Sequence, residues 1–179
     1  ERVWTHKYES PNWGPVLATG GGLVFTGGTW DRNFHAFDAA TGKLLWSYDP
    51  QVPGREGAKA CCDANSRGPA LYENTLIIGT LDGRLIALNR ATGEPVWSTQ
   101  TIDRSIPQHA MLTVTGAPRV LKDKVIIGNA GAEFGVRGYV SAYDAKTGAL
   151  AWRFYVVPGD PAKGADGAAS DEALATIAA

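Results

Sequence analysis

The sequence predicts an all-β chain: a β-propeller fragment of about three four-stranded blades, each closed by a docking tryptophan. Three observations lead there. The segments His35–Trp46, Ile86–Trp97 and Ser141–Trp152 align without gaps, each with an Asp or Asn, a Thr-Gly pair and a closing Trp. Those tryptophans, Trp46, Trp97 and Trp152, lie 51 and 55 residues apart. Upstream of each segment sits a further apolar β-rich stretch, Leu23–Thr26, Leu76–Gly79 and Val125–Gly128. Four short strands in a unit of about 50 residues, repeated, are the pattern of propeller blades.

The elements follow in order. Residues 1–9, with Trp4 inside Arg2–Tyr8, read as the closing strand of a blade that begins elsewhere. Repeats then run over about 10–48, 66–99 and 112–155, and the partial propeller as a whole over 1–157. Within each repeat, turns at Thr19–Gly22, Glu73-Asn74 and Lys122-Asp123 precede the first apolar strand. Alternation before Asp38, Asn89 and Asp144 suits a half-buried strand. Those side chains are suited to bonding the backbone of the following turn, and Gly42, Gly93 and Gly148 to a positive φ. The run into each Trp is the returning strand. A β-sandwich also has short, evenly spaced strands, but it has no need of the same Thr-Gly-x-x-x-Trp three times. From Pro158 the chain turns to Pro-Gly-Asp-Pro and then Ala- and Gly-rich sequence. Residues 158–179 are expected to form a connector tail, with a short helix over Asp171–Ala179 capped by Ser170.

Composition narrows the function. A formal charge of −1 on 179 residues leaves no basic face for nucleic acid. No apolar run approaches the ~20 residues of a membrane span, and Glu1-Arg2-Val3-Trp4 does not resemble a signal peptide. The glycines of Gly128–Gly135 open no helix after a strand, so they are no dinucleotide fingerprint, and there is no P-loop. His6, His35 and His109 stand apart, with no Ser/His/Asp order of a hydrolase. The two cysteines, Cys61 and Cys62, are adjacent, which is neither a zinc pattern nor a CxxC pair. They are either two buried thiols or a strained eight-membered disulfide ring whose peptide must distort.

Two further segments carry the resemblance. Lys59–Gly68 and Gly128–Gly138 resemble two active-site segments of the pyrroloquinoline-quinone (PQQ)-dependent, or quinoprotein, methanol and ethanol dehydrogenases, and Phe154–Pro161 is similar to the same family. The order departs from that family. Residues 11–30 resemble a blade near its C-terminus, whereas the Cys61-Cys62 and Ala132-Glu133 segments resemble its N-terminal blades. A truncated, permuted or joined chain gives such an order.

The resemblance implies an eight-bladed periplasmic propeller holding PQQ and a Ca²⁺ or lanthanide ion on its axis. It implies that Cys61 and Cys62 form a disulfide ring lying flat against the quinone, in an oxidising compartment. Glu133, otherwise an ordinary turn carboxylate, becomes the metal ligand. Arg67, by default a surface arginine, becomes a fork for a PQQ carboxylate. Thr115 and the backbone of Ala130, Gly131 and Ala132 become cofactor contacts, and Trp13 a wall of the site rather than blade packing. The implied partners are a small primary alcohol as substrate, a cytochrome c electron acceptor and the remaining blades. No segment matches the family's catalytic Asp, its Asn metal ligand or the Trp beneath the quinone, so the catalytic residue stays unidentified and one chain is expected to be incomplete. The competing reading is a noncatalytic PQQ-like repeat propeller, a scaffold or binding module, which has no need of Cys61-Cys62 or Ala132-Glu133. Three blades also imply two open Trp-rich faces. Leaving both wet is costly, so the chain is expected to join missing blades or associate with itself.

Overall fold

The computed structural model describes residues 2–9, 11–27, 31–60, 65–167, 171–172 and 176. Among them are three separate four-stranded antiparallel sheets, each a meander. The first comprises β1 (Val16–Ala18), β2 (Leu23–Thr26), β3 (Phe34–Asp38) and β4 (Leu44–Tyr48). The second comprises β5 (Ala70–Tyr72), β6 (Thr75–Gly79), β7 (Arg84–Asn89) and β8 (Pro95–Gln100). The third comprises β9 (Arg119–Leu121), β10 (Lys124–Gly128), β11 (Tyr139–Asp144) and β12 (Leu150–Tyr155). This is the all-β architecture of a partial propeller.

The repeat is reproduced down to its register. Ala36, Ala87 and Ala142 each oppose the Trp of their own repeat, and the pairing shifts at the next residue in all three sheets. The Asp/Asn-x-x-Thr-Gly stretch forms the connecting turn. Asp38 Oδ1 accepts from the backbone N–H of Ala40 and Thr41 and from the Thr41 hydroxyl, and Asp144 repeats this with Lys146 and Thr147. The Thr41 and Thr147 hydroxyls hold the Asp38 and Asp144 carboxyls below their ordinary pKa, because each hydrogen bond favours the charged form. Asn89 makes the two backbone contacts without the charge.

Each tryptophan binds the next blade. Trp46 Nε1 donates to the Arg90 carbonyl at 3.0 Å and Trp97 Nε1 to the Ala145 carbonyl at 3.1 Å, in each case one residue past the turn Asn or Asp. Gly93 shows why that turn needs glycine. Its φ is +77°, and a Cβ there would lie 2.7 Å from the Trp46 ring. The middle sheet is buried on both faces, which explains its nearly continuous apolar strands. Leu76, Ile78, Ile86 and Leu88 pack with Phe25, Phe34 and Trp46 of the first sheet. Ile77, Leu85 and Ala87 pack with Val125, Ile127, Tyr139 and Tyr143 of the third.

The two outer faces are not equivalent, contrary to the expectation of two open ones. Residues 2–8 form no strand, since they pair with none of the three sheets. They nevertheless cover the first blade. Trp4 Nε1 donates to the Ala39 carbonyl at 2.8 Å, repeating the docking of Trp46 and Trp97, and His6 and Tyr8 lie against Phe37 and His35. On the other side Trp152 is 46% exposed, beside exposed Leu150 and Phe154. In the tail, Arg137 donates to the Val157 carbonyl and pairs with Asp166. Asp171 and Glu172 are helical, and Ser170, their expected cap, lies outside the described residues.

Candidate functional site

The inner strands converge. β5 neighbours β9, and Gly68 lies between Pro15 and Ala117, so the segments leading into β1, β5 and β9 meet there. At this inner end, where β9 starts and β10 finishes, is a cavity of about 160 Å³. Four stretches line it: Lys59 and Ala60; Asn65 and Arg67; Thr113 and Thr115; and Ala130, Gly131, Ala132 and Glu133.

Backbone hydrogen bonds tie the stretches of the wall together. Arg67 N–H donates to the Thr115 carbonyl at 3.0 Å, and its guanidinium also donates to the Thr115 hydroxyl. Thr113 pairs with Ala130 through reciprocal backbone bonds of 3.2 and 2.8 Å. The chain then turns through Ala132–Phe134, a 3₁₀ turn bracketed by Gly131 and Gly135 in left-handed conformations. Gly131 has φ +115°, and a Cβ there would sit 2.8 Å from the Met111 carbonyl oxygen. Only glycine allows that approach without strain. The turn lets Glu133 line the cavity while exposed to solvent.

Six of the residues expected from the sequence therefore share one wall: Arg67, Thr115, Ala130, Gly131, Ala132 and Glu133. Cys61 and Cys62 lie outside the described residues, but the described positions flanking them, Ala60 and Asn65, both line the cavity. Trp13 is not among the lining residues. It stands 67% exposed in the segment leading to β1. Besides Ala60, three polar lining side chains were not anticipated: Lys59, Asn65 and Thr113. Asn65 and Thr113 each precede an expected residue by two positions, the spacing that on a strand shares one face, and that alternation is the signal that would have found them.

The wall has unfilled hydrogen-bonding capacity. Asn65 Oδ1 and Thr113 Oγ1 are buried with no partner among the described residues, although buried polar atoms nearly always find one. With the cations of Lys59 and Arg67, the Thr113 hydroxyl can donate to a carboxylate, while Asn65 Oδ1 can only accept from an N–H or O–H, so the set suits one edge of a planar, polar ligand that carries both kinds of group. The metal position is less complete. Among the described residues, no three His, Cys, Asp or Glu side chains gather as ion ligands.

A family model, PQQ_2, described as outer membrane protein assembly factor BamB, matches residues 1–176. The chain belongs to the PQQ_2 family. Within it, the similarity is to quinoprotein alcohol dehydrogenases. The chain is 58% identical over 141 residues to quinohemoprotein alcohol dehydrogenase ADH IIB of Pseudomonas putida, covering 79% of this chain and 20% of that protein. It superposes on quinohemoprotein alcohol dehydrogenase ADHIIG of Pseudomonas putida HK5 with a TM-score of 0.78 and 48% identity, over 86% of this chain and 22% of that one. A europium-containing methanol dehydrogenase matches with a TM-score of 0.72 and 35% identity, over 84% of this chain and 26% of that one. The chain thus spans about a fifth of the length of the curated relatives it matches. The partial-chain resemblance read from Lys59–Gly68 and Gly128–Gly138 holds.

Proposed function

We propose that this chain is part of a PQQ- and metal-dependent alcohol dehydrogenase that oxidises primary alcohols in the bacterial periplasm. The observation that carries the reading is the meeting of Arg67, Thr115 and Ala130–Glu133 around one cavity that also holds two buried, unpartnered polar atoms. A scaffold gains nothing from leaving such atoms unpaired, since each costs ~1–3 kcal/mol.

In this proposal Arg67 and the Asn65 and Thr113 side chains hold one edge of PQQ, and Thr115 fixes the Arg67 guanidinium. Cys61 and Cys62, between the flanking wall residues, supply the disulfide ring against its face. Bound PQQ supplies a two-electron acceptor for the hydride leaving the alcohol carbon. Glu133 is one carboxylate ligand for Ca²⁺ or a lanthanide, and the europium in the name of one similar enzyme supports the latter. The other ligands and the general base come from blades outside this chain. The exposed face at Trp152 is where such blades, or another copy, attach. A cytochrome c accepts the electrons.

The test is titration of the 179-residue chain with PQQ, with and without La³⁺, followed by quenching of tryptophan fluorescence. Saturable binding that La³⁺ tightens, and that Glu133→Gln frees from La³⁺ dependence, is expected. Absence of saturable quenching overturns the proposal. The chain alone is expected to show no dye-linked alcohol oxidation.

A further inference from the structure

Glu56 is a buried acid outside the wall just described. It sits in the 3₁₀ turn Gly54–Lys59 and is 5% exposed, a burial that costs several kcal/mol unless the charge is paired. Three cations pair it. Its Oε2 lies 2.8 Å from Lys59 Nζ and 3.8 Å from Arg104 Nη2, and its Oε1 lies 3.5 Å from Arg55 Nε. Arg104 is fixed in turn, because it also donates to the His109 and Asp82 carbonyls at 3.0 and 2.9 Å. One carboxylate is thus shared among three cations, so Glu56 does not belong to Lys59 alone.

Lys59 connects this cluster to the cavity that it lines. Residues three apart stack on one side of a 3₁₀ turn, which brings Glu56 beneath Lys59. The ammonium has three donors. Among the described residues one is used, on Glu56. The Lys59 side chain is only 22% exposed, so its charge is less screened than that of a surface lysine.

We propose that Lys59 is a second carboxylate-binding cation of the cavity beside Arg67, and that Glu56 is a positioning residue which aims it. This rests on the PQQ reading above. It adds the statement that two cations on separate stretches of chain select a ligand with more than one carboxylate.

The experiment titrates the 179-residue chain by tryptophan quenching with PQQ and, separately, with its trimethyl ester, in which the carboxylates are blocked. Lys59→Met should weaken PQQ binding about tenfold, the weight of a charged hydrogen bond, and leave ester binding unchanged. Lys59→Arg should restore most of the loss. Glu56→Gln should narrow the preference for PQQ over ester, a ratio that a purely structural role would not move. Should Lys59→Met fail to melt cooperatively, Lys59→Gln serves in its place. Lys59→Met binding PQQ within twofold of the unsubstituted chain, while Arg67→Met is clearly weakened, overturns the role of Lys59 and leaves the cofactor reading standing. Equal weakening toward acid and ester overturns it as well. Failure of the unsubstituted chain to bind either ligand overturns the cofactor reading itself.

Discussion

Replacing Trp46 by alanine is expected to cost about 4 kcal/mol of unfolding free energy, and the same change at Trp152 about half that. The two residues occupy equivalent repeat positions, each opposite an alanine of its own sheet. Their surroundings differ. Trp46 is 8% exposed and Trp152 is 46% exposed. A large aromatic side chain buries on the order of 200 Å², which at ~25 cal/mol per Å² is an upper bound of about 5 kcal/mol for Trp46 and a little over half of it for Trp152. Trp46 also loses its indole hydrogen bond to the Arg90 carbonyl, a further ~1 kcal/mol. Phenylalanine separates the two contributions: Trp46→Phe should lose mainly the hydrogen bond, and Trp152→Phe very little. Urea unfolding followed by far-ultraviolet circular dichroism suits the comparison, since it does not depend on tryptophan. Equal losses at the two positions would refute the reasoning, because they would mean that the Trp152 face is already covered.

Gly131→Ala should destabilise the chain by about 1–3 kcal/mol, the range for a residue forced into a disfavoured φ, and weaken PQQ binding by moving the Ala132–Phe134 turn; thermal melting with the fluorescence titration checks both. Thr113→Val removes a buried hydroxyl without a partner, so it should leave the melting temperature unchanged or raise it while lowering PQQ affinity; a loss of stability of several degrees would show that the hydroxyl is satisfied within the protein. Asp38 and Asp144 have folded-state pKa values below the ordinary 3.8, so their turn contribution is complete above that value and is lost as pH falls through the lower folded values. The double variant Asp38→Asn, Asp144→Asn should therefore show a flatter decline in melting temperature between about pH 4 and pH 2 than the unsubstituted chain, and identical acid limbs would contradict the assignment.

The blades were legible because each is a local object. The Asp38 turn, the φ of Gly93 and the spacing of Trp46 are set by neighbours in sequence, so period and turn chemistry expose them. The strands Leu23–Thr26, Leu76–Gly79 and Val125–Gly128 agree with the observed elements to within a residue. The fate of residues 2–8 was not legible, because whether a segment pairs as a strand depends on a neighbouring sheet, and these residues pair with none of the three. Trp4 keeps its docking bond all the same, since its acceptor at Ala39 is within the first repeat. At the site, Arg67, Thr115 and Ala130–Glu133 were found through resemblance, and no spacing rule would have joined stretches nearly 50 residues apart. Lys59 was missed for a physical reason. Its significance comes from Glu56, three residues away in the same turn, and from Arg104, which reaches Glu56 only after the loop before β9 has folded back.

Whether the cavity binds PQQ and Glu133 the metal is decided by a crystal structure of the chain grown with PQQ and La³⁺. Planar ligand density is expected in the cavity between Arg67 and Thr113, with a PQQ carboxylate within hydrogen-bond distance of the Arg67 guanidinium, and an anomalous La³⁺ peak at the Glu133 carboxylate. Ligand density elsewhere on the chain, or a La³⁺ peak remote from Glu133 with the cavity holding only water, would contradict it.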